Sequence, residues 1–162
     1  MPERALARIR PGAVARNCSR LRAALTGGAE LCVVVKADGY GHGAVSCARA
    51  AQAGGASWLA VATAGEATGL RRAGIEGRIL VMGALTHDEM VEALAAAAEV
   101  VAWNADFVRA LAAHRGDRPA QVHVKLDTGM GRLGAPRARA RSRHSMPPPR
   151  RRRRAPPPSR RG

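Results

Sequence analysis

Apolar segments of strand length recur along this chain, with helical segments between them. The five strand candidates are residues 31–37, 58–62, 78–82, 99–103 and 121–126. The helical candidates are residues 11–25, 44–53, 63–74, 86–98 and 105–114. A strand–helix repeat of about 20–25 residues is the spacing of βα units, which build a parallel sheet. The strands are apolar throughout rather than alternating, so we expect them to be buried on both faces.

The predicted helix starts carry residues that cap helices. Thr63 with Glu66, and Thr86 with Glu89, have the spacing of a capping box, in which each side chain bonds a free backbone N–H group. Asn104 is placed to cap the helix that follows it. These residues fix the beginnings of three predicted helices.

The order of strands and helices does not decide between two parallel architectures. A doubly wound sheet and a (β/α)8 barrel both fit alternating strands and helices. A barrel normally takes about 250 residues, whereas the pattern here ends after five strands, near residue 134. If the fold is a barrel, only about five of its βα units are present.

The positive charge of the chain is concentrated at its C-terminal end. The 162 residues have a net charge of +15, yet residues 1–134 carry only +4. Residues 135–162 hold 11 arginines, no acidic or aromatic residue, and seven of the ten prolines. Such a composition cannot bury a core, so we expect one domain over 1–134 and a disordered tail over 135–162.

Two interpretations of this Arg/Pro-rich tail are open. A basic arm could bind nucleic acid by releasing counterions, although the tail lacks the aromatic residues that stack on bases. Alternatively, the segment is translated out of frame, since arginine replaces alanine as the commonest residue where the tail begins. We favour the out-of-frame interpretation, and therefore expect a C-terminally truncated protein and no nucleic-acid partner.

Several classes of protein are excluded by simple features of the sequence. No run approaches the roughly 20 apolar residues of a membrane span, and the N-terminus lacks the apolar region of a secretory signal. Cys18, Cys32 and Cys47 have no CxxC spacing, which predicts reduced thiols rather than disulfides or a zinc site. We therefore expect a cytoplasmic protein with no membrane partner and no metal.

The two lysines of the chain occupy equivalent places in the predicted repeat. Lys36 ends the first predicted strand and Lys125 ends the fifth, and functional residues of parallel βα folds lie at such ends. The other 25 basic residues are arginine, which cannot lose its proton or form an imine as lysine can. Each lysine is therefore a candidate reactive amine, although a solvated charge at a strand end explains its position equally well.

The segments around both lysines resemble the two signatures of one enzyme family. Residues 34–43 (VVKADGYGHG) are similar to the pyridoxal-phosphate attachment motif of alanine racemases. Residues 125–134 (KLDTGMGRLG) resemble the second signature of that family. The likeness extends over about residues 3–134 and implies the N-terminal part of a (β/α)8 TIM-type barrel. Asp38 and Gly39 stand where the family more often has Asn and Ala.

The resemblance also assigns roles to four residues. Lys36 would form the internal aldimine with pyridoxal 5′-phosphate and would exchange the α-proton on one face of alanine. Tyr40 would hydrogen-bond the cofactor phosphate, and Arg132 would lie near the cofactor's phenolic oxygen and the substrate carboxylate. Lys125 would support Arg132, in some relatives as a carbamate, whose negative charge would pair with the guanidinium.

A second catalytic base is implied by the resemblance but not supplied by these residues. In the family this base is a tyrosine of a second domain, contributed across a homodimer interface, and the single tyrosine here, Tyr40, already has a role. We therefore expect alanine racemase activity, which makes D-alanine for peptidoglycan, to be undetectable in this chain alone. A non-catalytic pyridoxal-phosphate-binding barrel is the alternative within this fold, and the segment from Lys125 to Arg132 disfavours it.

Other polar residues have simpler structural interpretations. His42 lies in the glycine-rich segment and is expected to support that loop. The triplet His87-Asp88-Glu89 has the residue types of a metal site, but the capping box explains why these residues stand at the start of a helix. The remaining candidates, which we expect to pack within or beside the sheet, are His123, Trp58 and Trp103.

Overall fold

A computed structural model of the chain describes residues 7–114, 116 and 118–136. Along these residues, the helical segments are α1 (Pro11–Ala24), α2 (Lys36–Gly41), α3 (Ala44–Ala53), α4 (Ala64–Arg72), α5 (His87–Ala95) and α6 (Ala105–Ala113). The strands are β1 (Cys32–Val34), β2 (Trp58–Val61), β3 (Arg78–Val81), β4 (Glu99–Ala102), β5 (Val122–Val124), β6 (Leu126–Asp127) and β7 (Ala135–Pro136).

Strands β1 to β5 form one sheet in sequence order, and every neighbouring pair is parallel. This arrangement results when each helix returns the chain to the same end of the sheet. The C-terminal ends of all five strands therefore lie at one edge, as the βα spacing predicted. A separate parallel pair, β6 with β7, follows the sheet.

The core lies between the sheet and the helices that cover it. Leu59, Ile79 and Met90 are among its largest fully buried side chains, and burying each contributes about 2 kcal/mol. Helices α1 and α3 approach closely at Gly54, where an added Cβ would collide with the carbonyl oxygen of Ala15. Glycine is therefore required at this crossing.

Both lysines lie beyond the strands that they were predicted to end. Strand β1 ends at Val34, and Val35 leaves the extended conformation with ψ of 21°, so that Lys36 begins α2. Strand β5 ends at Val124, and Lys125 separates it from β6. The predicted limits of these two strands are thus wrong by one to three residues, because the backbone turns before the apolar run ends.

The prediction that every strand is buried on both faces is correct for the central strands and wrong for the outer two. In β1, Val34 is 37% exposed, and in β5, Val122 and Val124 are 42% and 76% exposed. Strands β1 and β5 each have one neighbour in the five-stranded sheet, and such outer strands present unpaired backbone groups. The side chains of these outer strands are therefore covered less completely than those of the central strands.

Three further predictions concern thiols, membranes and the tail. The cysteines are free, with Cys18 and Cys47 buried and Cys32 exposed, as predicted for reduced thiols. Within the described ranges, no helix is long and apolar enough to cross a membrane. The predicted tail over 135–162 falls outside the described residues except for Ala135 and Pro136.

Candidate functional site

The segment that begins with Lys36 is a left-handed helical turn at the C-terminal end of β1. Its residues Ala37, Asp38, Gly39 and Tyr40 have φ between 50° and 63° and ψ between 36° and 50°. For residues with a side chain, this backbone region costs roughly 1–2 kcal/mol each. Such strain persists where surrounding contacts fix the backbone, and it is concentrated at functional sites.

Contacts from two directions fix the start of this turn. Ala37 N donates a hydrogen bond to Glu66 Oε1 at 2.6 Å, and Glu66 belongs to helix α4, after the next strand. Gly39 N donates to the carbonyl oxygen of Val35 at 2.9 Å. The backbone that carries Lys36 is therefore tied both to its own strand and to the neighbouring βα unit.

The end of the turn is joined to helix α3. Asp38 Oδ1 accepts a hydrogen bond from Ala44 N at 2.7 Å and so caps that helix, whose N-cap residue Gly43 has no side chain to do so. His42 Nδ1 lies 2.9 Å from the carbonyl oxygen of Gly39, in agreement with the loop-supporting role predicted for it. Asp38 thus has a structural function at the start of helix α3.

Two residues with predicted roles, Lys36 and Tyr40, are brought together by this turn. Lys36 Nζ lies 6.0 Å from the centre of the Tyr40 ring. The lysine is half-buried, whereas Tyr40 is 59% exposed. Lys36 forms no ion pair with any described residue. The turn therefore presents an amine and a phenol side by side.

Lys125, the other candidate reactive lysine, is the first residue of a loop at the C-terminal end of β5. Lys125 N donates to the carbonyl oxygen of Ala102 in β4 at 2.9 Å, and its own carbonyl oxygen accepts from Ala135 N at 2.8 Å. An added Cβ on Gly134 would lie 2.7 Å from Asp127 N. The loop therefore closes on its own beginning, and only glycine fits where it does so.

Asp127 organises the interior of this loop. Its Oδ1 accepts hydrogen bonds from Gly129 N at 2.9 Å and from Gly131 N at 3.1 Å. These hydrogen bonds hold the pKa of Asp127 below its ordinary value, and the bond from Gly129 contributes more than the bond from Gly131. Arg132 follows at once and is exposed, and it forms no ion pair with a described acidic residue.

We expect Asp127→Ala to loosen the loop that carries Arg132, because two backbone N–H groups lose their acceptor. Amide exchange at Gly129 and Gly131 should accelerate several-fold, while the amides of β2 and β3 stay unchanged. Because folding lowers this pKa, the carboxylate favours the folded loop above the ordinary aspartate pKa, and this contribution is lost as the pH falls through the folded-state value. Equal exchange rates in Asp127→Ala and the unchanged chain would contradict this role.

A polar cluster lies at the opposite, N-terminal end of the sheet. Glu99, whose side chain is 8% exposed, accepts hydrogen bonds from Arg78 Nε at 2.6 Å and Arg78 Nη2 at 3.1 Å. His123 Nε2 lies 2.7 Å from Glu99 Oε2, and the Arg78 guanidinium stacks 3.2 Å from the Trp58 ring centre. His123 is thus a partnered histidine of the sheet, as predicted, and Trp58 takes part in a charged cluster.

The remaining candidates have structural roles. Thr86 Oγ1 accepts from Glu89 N at 3.3 Å, and the capping box predicted for α5 is present. No cluster of potential metal ligands occurs among the residues that the structure describes. Trp103 packs against the core, with its ring centre 6.3 Å from that of Phe107.

Comparison with known families gives a match over most of the chain. Residues 9–144 match the family model described as alanine racemase, N-terminal domain. An alanine racemase from Desulforamulus reducens is 42% identical over 137 residues, which cover 83% of this chain and 37% of that protein. One from Beutenbergia cavernae is 46% identical over 126 residues, covering 76% and 33%. This chain therefore spans about a third of the length of the curated relatives it matches.

The fold agrees with solved structures of alanine racemases. The alanine racemase from E. faecalis superposes with a TM-score of 0.74 at 35% sequence identity, over 78% of this chain and 35% of that one. The alanine racemase from D-cycloserine-producing Streptomyces lavendulae gives a TM-score of 0.70 at 43% identity, over 79% and 34%.

Proposed function

Since this chain belongs to the alanine racemase family, we propose that it binds pyridoxal 5′-phosphate through Lys36 and takes part in interconverting L-alanine and D-alanine. We place this function in the barrel part over residues 1–134. We further infer that the whole protein acts as a homodimer in the cytoplasm and supplies D-alanine for peptidoglycan.

The observation that carries the proposal is the left-handed turn that places Lys36 beside Tyr40. A cofactor with an aldehyde and a phosphate is held by an amine that bonds the aldehyde and by a hydrogen-bond donor that reaches the phosphate. Lys36 is half-buried, its Nζ lies 6.0 Å from the centre of the Tyr40 ring, and the amine and the phenol are groups of these two kinds. Lysine can lose its proton and bond covalently to an aldehyde, which arginine cannot do.

We assign the other predicted residues, which follow β5, to the same proposed site. Arg132 would orient the substrate carboxylate through its planar, permanently charged guanidinium. Lys125 would position Arg132, and a carbamate on Lys125 would turn a repelling cation into a partner for it. The Asp127 bonds, which shape the loop between these two residues, support this arrangement.

When bound, the cofactor supplies an electron sink that makes the α-proton of an amino acid removable. Lys36 would take and return that proton on one face of the α-carbon. Inverting the configuration needs a second proton-transfer group on the other face, which we place on a tyrosine of a second domain. We therefore expect the chain alone to bind the cofactor without measurable racemisation.

Chemical capture of the cofactor tests this proposal directly. The chain is incubated with pyridoxal 5′-phosphate, the covalent adduct is fixed with borohydride as a secondary amine, and its position is found by peptide mass mapping. With two lysines in the sequence, the adduct is expected on Lys36 and not on Lys125. An adduct distributed equally over both lysines, or none on Lys36, would contradict the proposal.

A further inference from the structure

Glu66 is the residue that links the Lys36 turn to the rest of the sheet. Its Oε1 accepts a hydrogen bond from Ala37 N at 2.6 Å. Its Oε2 accepts from Ala62 N at 2.7 Å and from Thr63 N at 3.1 Å. One half-buried carboxylate therefore joins the ends of β1 and β2.

A second capping box in the same chain shows that helix capping alone does not require this arrangement. Glu89 occupies the equivalent position in α5, and both boxes have the reciprocal bonds. Glu89 Oε2 accepts from Thr86 N at 2.8 Å and from Thr86 Oγ1 at 3.0 Å, both at the start of its own helix. The contact from Glu66 to Ala37, 29 residues away, is additional to capping.

The additional contact is made to a residue with a strained, left-handed backbone conformation. Ala37 is the first left-handed residue of the turn, with φ and ψ both 50°, and it directly follows Lys36. A hydrogen bond to a carboxylate is roughly twice as strong as one between neutral groups. The Ala37 N–H group belongs to the peptide unit that joins Lys36 to Ala37, so this bond fixes the orientation of that peptide at the Cα atom that carries the lysine side chain.

We propose that Glu66 is a positioning residue for the cofactor-binding lysine, acting through the Ala37 N–H group. Glu66 does not itself touch the cofactor in this proposal. The inference rests on the proposed function, since the lysine that it positions is the one that would carry pyridoxal 5′-phosphate. It also makes a claim about the backbone that can be measured without the cofactor.

The test compares Glu66→Gln with Glu89→Gln. In Glu66→Gln, the amide oxygen can keep the two cap bonds from Ala62 and Thr63, while the amide NH2 group then faces Ala37 N–H and no acceptor remains there. Glu89→Gln makes the same change in a capping box that does not contact the turn. Glu66→Asp, which keeps the charge but is one methylene shorter, provides a second variant if Glu66→Gln does not fold.

Two measurements are made on the full chain. Without cofactor, amide exchange at Ala37 is expected to accelerate about tenfold in Glu66→Gln relative to Glu89→Gln. This is the effect expected when a backbone N–H group loses one hydrogen bond to a charged acceptor. With pyridoxal 5′-phosphate and borohydride, the rate of adduct formation on Lys36 should fall several-fold in Glu66→Gln alone.

Unchanged exchange at Ala37 would overturn the proposal. Faster exchange with an unchanged rate of capture would also overturn it, because Glu66 would then stabilise the backbone without positioning the amine. Failure of the proposed function is seen separately, as no adduct on Lys36 in the unmutated chain.

Discussion

Replacing Lys36 by arginine should abolish covalent capture of pyridoxal 5′-phosphate. Arginine keeps the positive charge and nearly the length of the lysine, but its guanidinium stays protonated and cannot bond covalently to an aldehyde. The amount of borohydride-fixed adduct on the peptide that contains residue 36 should fall at least tenfold, to background. Peptide mass mapping after borohydride treatment measures this loss directly.

Lys125→Arg provides the matched control for this substitution. It makes the same chemical change at the other lysine of the chain, which we expect to support Arg132 rather than to carry the cofactor. The adduct on Lys36 should remain in this variant, with a change no larger than a few-fold. If Lys125→Arg loses the adduct and Lys36→Arg retains it, the roles assigned to the two lysines are reversed.

Features of the fold that depend on neighbouring residues could be predicted from the sequence. The capping boxes at Thr63 and Thr86 and the cap at Asn104 are present as predicted, because each needs contacts only within one helical turn. Helix α3 has the predicted limits of Ala44–Ala53. The parallel direction of β1 to β5 follows from the same local repeat, since each βα unit returns the chain in the same direction, whereas their order in the sheet was left open between two architectures.

Features that depend on distant contacts or on unusual backbone angles were not predicted. Ala37 is not a residue type that favours a left-handed conformation, and the turn that places Lys36 is held in part by Glu66, 29 residues from Ala37. The partnership of Glu99 with Arg78 and His123 depends on which residues of three strands lie side by side. Strand register is a property of the assembled sheet, and the apolar pattern of the strands does not encode it.

The cluster around Glu99 leads to the largest expected loss of stability. Glu99→Gln should lower the free energy of unfolding by about 2 kcal/mol, because a nearly buried carboxylate that accepts three hydrogen bonds is replaced by an amide. The amide NH2 group would face either the guanidinium of Arg78 or the ring of His123. Urea unfolding at neutral pH, followed by circular dichroism, measures this difference.

Glu30→Gln is the matched control, because Glu30 contacts the same arginine from an exposed position. Glu30 Oε2 lies 3.4 Å from Arg78 Nη1, and the Glu30 side chain is 53% exposed, so the substitution should cost less than about 1 kcal/mol. If Glu30→Gln destabilises the chain as much as Glu99→Gln, burial of the Glu99 carboxylate is not what gives the cluster its effect.

Acid pH should remove the stability contribution of Glu99. The hydrogen bonds from Arg78, with a smaller contribution from His123, hold the pKa of Glu99 below its ordinary value, although burial opposes them. The unfolded chain therefore binds the proton more readily, and the contribution of Glu99 is lost as the pH falls from the ordinary glutamate value of about 4.3 through the lower folded-state value. The stability difference between the unchanged chain and Glu99→Gln should narrow over that range. A difference that widens towards acid pH would mean that folding raises this pKa, so that burial outweighs the bonds from Arg78 and His123.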